Sequence, residues 1–218
     1  MLMKKTNRVL SFLENKPNLT NRNLKRAHKT LFILIDFFNK EKIDYHLEGG
    51  TLLGIVRDKQ LLAWDYDIDL SIMEKDAQKF ANKSHKLWLK GYRIRKKTMH
   101  MDIGPLKSGQ YRIFKVKKIF PSLMKEFFSF TYKHMIVADI FVKANDEKHT
   151  YWQAMRKILR VDKKYYSSYE TVEYYGRELM IPYDYKGYLT KKYGDWSVPV
   201  KEWSCSTDEK TIIDEAYK

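Results

Sequence analysis

The sequence is poor in the residues that mark disulfide-stapled or multidomain proteins. Its 218 residues include a single cysteine, Cys205, with 9 glycines and 5 prolines. One thiol cannot form an internal disulfide, and no Cys/His cluster has the spacing of a zinc site. No repeat, low-complexity block or flexible linker is visible, so we expect one domain.

Long apolar runs are also missing. The longest, residues 31–38, is interrupted by Asp36, and a membrane-spanning helix needs about 20 apolar residues. The segment 1–13 is basic and lacks the apolar core and cleavage site of a secretory signal. We therefore expect a cytoplasmic protein, with peripheral contact to an anionic membrane at its inner face left open.

Acidic residues are outnumbered, with 27 Asp and Glu against 42 Lys and Arg, and the formal net charge is +15. Such a charge attracts nucleotides, nucleic acid, anionic lipid or acidic glycans, and cannot by itself choose among them. A hydrophobic content of 44% with 15% aromatic residues fits a packed globular core and excludes a disordered chain.

Periodicity predicts helices alternating with strands. A basic helical lead-in is expected over residues 1–19. Helices are predicted at 20–42 (capped by Thr20), 51–57, 75–90, 151–160 and 185–193. Strands are predicted at 44–48, 64–72, 92–97, 111–117 and 134–142, with a hairpin at 171–181. This pattern is typical of an α+β fold.

Gly49 and Gly50 end a predicted strand where a helix begins. Glycine lets the backbone approach a ligand closely. The N–H groups of the helix start, together with the Thr51 hydroxyl, can hold phosphate oxygens. Paired glycines are also common in simple turns, so this motif alone decides little.

Three acids alternate along the next predicted strand. Asp65, Asp67 and Asp69 should share one face, because side chains at i, i+2 and i+4 point the same way. Their mutual repulsion needs a compensating cation, and Mg²⁺ prefers carboxylate and phosphate oxygens. The alternative is a solvated acidic edge, which the apolar flanking residues disfavour.

Asp139 is a lone acid within the apolar run 136–142. An unpaired buried carboxylate is costly, so this residue needs a partner. The same metal or a substrate hydroxyl could be that partner, and so could one of the many lysines.

Taken in order, these motifs resemble the nucleotidyltransferase superfamily and, within it, the LicD or fukutin-like family. The resemblance lies in Gly49-Gly50-Thr51 through Arg57, in Trp64-Asp65 through Asp69, and in Asp139-Ile140-Phe141. A C-terminal piece, from Ile181-Pro182 to Asp195-Trp196, is similar as well. Departures are Asp58-Lys59-Gln60 and Leu62-Ala63, where the family often has His-Lys-Gly and Ile-Pro.

The resemblance implies a nucleotidyltransferase-like fold, a mixed β-sheet flanked by helices. The catalytic core would span about residues 20–145 and a C-terminal extension, made of helical and hairpin additions, about 146–218. It also implies a LicD-type, divalent-metal-dependent phosphotransferase. This enzyme would move phosphocholine or a related alcohol phosphate from a CDP-linked donor to a glycan or glycolipid hydroxyl.

The resemblance also implies roles for individual residues. Asp67 and Asp69 would hold Mg²⁺ or Mn²⁺ against the diphosphate, and Asp139 would complete the metal site or act as general base. Arg57 would clamp a phosphate oxygen. Asp65 would orient Thr51 or Arg57, and Gly49, Gly50 and Thr51 would contact the donor.

Two other functions stay open at this point. A true nucleotidyltransferase would transfer a nucleoside monophosphate from a nucleoside triphosphate to a small molecule, a protein or RNA, using the same residues. An inactive nucleic-acid-binding module would use the net charge alone, and the absence of RRM, KH or zinc-finger motifs disfavours it.

Overall fold

A computed structural model describes residues 19–119, 137–205 and 207–215. Residues 1–18 of the predicted N-terminal lead-in lie outside the described residues. Residues 134–136, the start of the predicted fifth strand, also lie outside them. The helices are α1 Asn21–Glu41, α2 Gly49–Leu53, α3 Glu74–Lys83, α4 His85–Leu89 and α5 Tyr185–Tyr193. A π-helical turn, Gly54–Asp58, continues α2, and a 3-10 turn spans Lys163–Tyr166.

Ten strands are present among the described residues. They are β1 Tyr45–Leu47, β2 Asp67–Met73, β3 Tyr92–Thr98, β4 Tyr111–Lys118, β5 Val137–Asn145, β6 His149–Ala154, β7 Lys157–Asp162, β8 Tyr169–Tyr174, β9 Arg177–Pro182 and β10 Ile212–Glu215. The strands β8 and β9 form a separate hairpin, and the other eight form one sheet.

Strand β5 is the centre of the large sheet. Its first part pairs in parallel with β2 and antiparallel with β4, and its last residues pair with β6. Strand β1 flanks β2, β3 flanks β4, and β6 leads on to β7 and β10. The mixed sheet with flanking helices confirms the predicted α+β class.

Aromatic packing fixes helices α1 and α3 to one face of the sheet. Phe80 of α3 lies between Phe38 of α1 and Phe114 of β4, with ring centroids 5.7 and 4.7 Å away. All three rings are fully buried. Because side chains alternate along a strand, the neighbours of Phe114 project from the opposite face, which is the face that carries the acids.

Several predicted elements agree with the structure, and one has the wrong type of secondary structure. Helix α5 has its predicted bounds, and the hairpin at 171–181 is confirmed as β8 and β9. The predicted helix over Tyr151–Arg160 is wrong, because this segment forms the antiparallel pair of β6 and β7. The reversal rests on Met155 at φ 53°, a conformation usually taken by Gly, Asn or Asp, so no turn signal was visible.

Three smaller corrections bear on the site. Strand β2 begins at Asp67 rather than at residue 64, so Asp65 precedes it. The predicted helix at 75–90 is interrupted at Ser84. Thr20 occupies the N-cap of α1 but makes no capping hydrogen bond.

Candidate active site

The acids of β2 and β5 meet through the sheet register. In the parallel pair of strands, Asp69 lies directly beside Asp139, and Asp67 lies beside Val137. Neighbouring strands are about 4.8 Å apart, so the side chains of Asp69 and Asp139 are adjacent on one face. The structure thus brings together the two strands that the sequence singled out.

The two glycines make room for the carboxylates. Gly49 has φ +54°, and a Cβ there would lie 2.5 Å from Oδ2 of Asp69. A Cβ on Gly50 would lie 2.1 Å from Oδ2 of Asp65. Both distances are shorter than real Cβ contacts, so the two glycines allow the turn to pack against the carboxylates of Asp69 and Asp65.

Asp65 joins this group of acids although it precedes β2. Its Oδ1 accepts a hydrogen bond from the Tyr66 N–H at 2.9 Å, and its Oδ2 faces Gly50. The orienting role predicted for Asp65 toward Thr51 or Arg57 stays a prediction.

The group carries more negative than positive charge. The pKa of Asp69 is raised well above its usual value, first by burial and then by the carboxylates of Asp67, Asp65 and Asp139. A raised pKa means that the charged form is poorly compensated where it stands. A divalent cation is the compensation that such oxygen donors favour.

Asp139 already has one cationic neighbour. Its Oδ2 is paired with the Lys115 ammonium, and Lys115 is its register partner on β4. Its Oδ1 is buried and has no hydrogen-bond partner within the described part of the chain. Such an atom is available to a metal ion or to a hydroxyl proton.

Carboxylate chemistry therefore fits a hard divalent ion, with Lys115 as a competitor at Asp139. Across residues 19–119, 137–205 and 207–215, no three His, Cys, Asp or Glu side chains are gathered closely enough to surround a metal. The ligands that the sequence predicts for this ion are Asp67, Asp69 and Asp139. The metal-binding roles of all three stay a prediction.

Thr51 and Arg57 make structural contacts. The Thr51 hydroxyl accepts from the Asp69 N–H at 2.9 Å. The Arg57 guanidinium donates to both oxygens of Asp58, at 2.7 and 2.8 Å, and to the carbonyl of Trp196 at 3.1 Å. These contacts tie the π-helical turn to the C-terminal segment, and the predicted phosphate contacts of both residues stay predictions.

Glu48 is a buried centre that the sequence motifs did not assign. Its carboxylate accepts from the Gly49 N–H at 3.1 Å and from the Ser71 hydroxyl at 3.2 Å. It also binds the Lys143 ammonium and the Tyr188 hydroxyl. Glu48 thus takes up the first N–H of α2, to which the sequence had assigned phosphate.

Lys143 balances that carboxylate in the interior. It is fully buried, and its Nζ lies 3.7 Å from the ring centroid of Tyr166 and 4.3 Å from that of Trp152. Burial lowers the pKa of Lys143 to about 8, although Glu48 opposes the change. Burial alone would raise the pKa of Glu48, but Lys143 holds it well below its usual value. A lone lysine in the apolar strand β5 was the signal that could have found this pair.

Comparison with known proteins covers the residues of this site. The model of the family described as LicD/FKTN/FKRP, nucleotidyltransferase domain, matches residues 42–184, which include the glycine turn and all the acids named above. The chain belongs to the LicD family. The resemblance drawn from the motifs is confirmed, while the proposed division into core and extension stays a prediction.

Individual relatives of this LicD-family chain match over short stretches. The lipopolysaccharide cholinephosphotransferase LicD of Haemophilus influenzae is 38% identical over 53 residues, 22% of this chain. The ribitol 5-phosphate transferase FKRP of Mus musculus is 36% identical over 53 residues, 24% of this chain. A Rickettsia typhi protein without a named activity is 33% identical over 69 residues, 32% of this chain.

These matches cover only 20%, 11% and 22% of the lengths of those relatives, respectively. Two of the three are named as transferases of phosphate-bearing groups. Within the described residues, no helix is long and apolar enough to cross a membrane.

Proposed function

We propose that this chain is a metal-dependent phosphotransferase of the LicD type. It would move phosphocholine or a related alcohol phosphate from a CDP-linked donor to a hydroxyl of a glycan or glycolipid. The observation that carries the proposal is the register that sets Asp69 beside Asp139, with Gly49 closed against Asp69. The names of the LicD and FKRP relatives support the class of group transferred.

The residues divide the work of the reaction. The acceptor oxygen bonds to the phosphorus that carries the alcohol, the bond from that phosphorus to the CMP oxygen breaks, and CMP leaves. Oδ1 of Asp139 is the free oxygen that would accept the hydroxyl proton. Bound Mg²⁺ or Mn²⁺, held by Asp67 and Asp69, would supply neutralisation of the diphosphate charge.

The test is a donor panel at fixed Mg²⁺. The protein is incubated with CDP-choline, CDP-ribitol, CDP-glycerol, ATP or UTP, each with a candidate glycan. CMP release with transfer of the alcohol phosphate is expected. Pyrophosphate release from ATP or UTP would instead establish the nucleotidyltransferase alternative, which the family description itself keeps open.

Asp69→Asn tests the site without removing the fold. Transfer should be lost, while the thermal midpoint should stay unchanged or rise because carboxylate repulsion is relieved. Asp162→Asn, at a carboxylate on β7 whose side chain is 59% exposed, is the matched control and should keep full activity. Near-full activity of Asp69→Asn would exclude the metal assignment.

Peripheral contact with an anionic membrane is part of the proposal. Trp88 and Leu89 of α4 are 64% and 76% exposed, and Lys86, Lys90 and Arg93 lie close to them in sequence. Apolar side chains beside cations favour the surface of anionic bilayers. Flotation with phosphatidylserine vesicles should carry the protein upward, and W88S/L89S should abolish this. Equal flotation of the two proteins would place the contact elsewhere.

A further inference from the structure

A row of cations continues the line of acids across the sheet. Asp139 pairs with Lys115 on β4, and Lys115 pairs with Arg95 on the outer strand β3. Two residues further along β4, Lys117 pairs with Arg93. Directly paired residues project from the same face of the sheet. This cationic row, Arg93, Arg95, Lys115 and Lys117, therefore shares the face of the acids.

Lys115 is paired with Asp139, whereas the other three cations of the row have no such partner among the described residues. Arg93, Arg95 and Lys117 are exposed, and none of the three forms an ion pair with a residue that the structure describes. The neighbouring Lys97 has a lowered pKa, first through burial and then through Lys115, Arg112 and Arg95. Cations gathered in this way attract an anion, as the gathered acids attract a metal.

The row and the glycine turn lie on opposite sides of the acids. The turn follows β1, which flanks β2, whereas the row lies on β4 and β3 beyond β5. At about 4.8 Å per strand, Arg95 is about 10 Å across the sheet from Asp139. A donor diphosphate at the glycine turn would leave the cationic row free.

We propose that the cationic row binds a phosphate group of the acceptor, about 10 Å from the hydroxyl that reacts. The inference rests on the proposed function. The inference makes the proposed function more specific, because it names the acceptor as a glycan or glycolipid that already carries a phosphate. A neutral acceptor would make no use of the exposed cations.

Binding is measured first, without donor or metal. The probe is a fluorescein-labelled oligosaccharide with one phosphate monoester, and its phosphatase-treated form, which carries the same label, is the phosphate-free comparison. R95Q/K117Q should bind the phosphorylated probe about tenfold more weakly than the wild type, since each lost contact is charge-assisted. K148Q/R156Q removes the same charge from exposed positions in and beside the β6–β7 hairpin and should bind like the wild type.

Three results would overturn the proposal. The first is equal binding of the phosphorylated and phosphate-free probes by the wild type, and the second is unchanged binding by R95Q/K117Q. The third is tighter binding of a single-stranded RNA that the same variant loses, which would make nucleic acid the ligand. None of these measurements depends on transfer.

Steady-state kinetics then distinguish a failure of this proposal from a failure of the proposed function. R95Q/K117Q should raise the KM for the phosphorylated acceptor about tenfold and leave the KM for the CDP-linked donor unchanged. A raised donor KM would assign the row to the donor diphosphate and would contradict the proposal. Absence of transfer by the wild type itself, with phosphate-dependent binding intact, would refute the proposed function and leave the anion site standing.

Discussion

At the scale of single residues, Gly49 combines two demands on one position. It has a left-handed backbone conformation, and the space where a Cβ would stand is taken by Asp69. Gly49→Ala should therefore cost about 1 kcal/mol of stability from backbone strain. It should also lower transfer at least about tenfold, because displacement by as little as 1 Å can cost far more in rate.

Gly176 supplies the control for that change. It also has a positive φ, +70°, but a Cβ there meets nothing within 4 Å. Gly176→Ala should show a similar fall in unfolding free energy with unchanged transfer. Equal activity of the two variants would show that the contact between Gly49 and Asp69 is irrelevant to the reaction.

His46 makes folding sensitive to acid. It is fully buried, and burial is the main cause that lowers its pKa from 6.5 to about 4. Between these values the unfolded chain binds a proton that the folded chain does not, so stability falls as pH falls from about 6.5 to about 4. The loss attributable to His46 should be about 3 kcal/mol.

Urea unfolding at pH 7.0, 5.5 and 4.5 measures this loss. His46→Gln should flatten the dependence over that range, whereas the exposed His85→Gln should follow the wild type. Parallel curves for all three proteins would show that His46 is not the titrating group.

The sequence pattern predicted the acids of β2 but not the ion pairs that surround them. Asp67 and Asp69 were found because alternation along a strand is visible in sequence. Glu48 and Lys143 were not predicted, because a buried ion pair is recognised only when the positions of both partners are known. Glu48 follows β1, whereas Lys143 lies on β5. The sequence allows several partners for Asp139, and Lys115 cannot be singled out among them for the same reason.

At the scale of elements, Lys143 connects strand β5 to the start of α2 through Glu48 and to the 3-10 turn through Tyr166. Lys143→Met should cost about 3–5 kcal/mol, because it leaves the buried Glu48 carboxylate without its cation. Adding Glu48→Gln should recover part of that loss, since the uncompensated charge is then gone. Chemical denaturation of the single and double variants measures both terms, and additive losses would exclude the coupling.

Elements with strong periodicity were predicted closely, and the others depended on tertiary contacts. Helix α5 follows a cap at Asp184, whose side chain accepts from the Gly187 N–H, and this signal is local. Strand β10 exists only through its pairing with β7, so the polar tail after residue 199 carried no visible sign of it.

At the scale of the whole molecule, the last described residues close the sheet and neutralise a buried charge. Glu209, close before β10, pairs with the buried Lys192 of α5. Ending the chain after Cys205 removes both β10 and Glu209. We expect a loss of stability, because β7 loses its partner strand and Lys192 loses the carboxylate that balances its charge.

A thermal scan of the shortened chain beside the full one measures that loss. Thr190→Ala, an exposed change on the same helix, should shift the midpoint far less. An unchanged midpoint for the shortened chain would show that its final strand and the Lys192 pair add nothing to stability.

The parallel pairing of β2 with β5 also governs how the chain reaches its native state. Asp69 and Asp139 are neighbours in the sheet although 69 residues separate them in sequence, and the described residues between them include α3, α4 and the antiparallel pair of β3 and β4. Contacts between such distant positions form slowly, because the loop must close before any contact rewards it. Asp69 and Asp139 should therefore stay apart through most of refolding. The repulsion between their carboxylates then arises only when the rest of the sheet has formed.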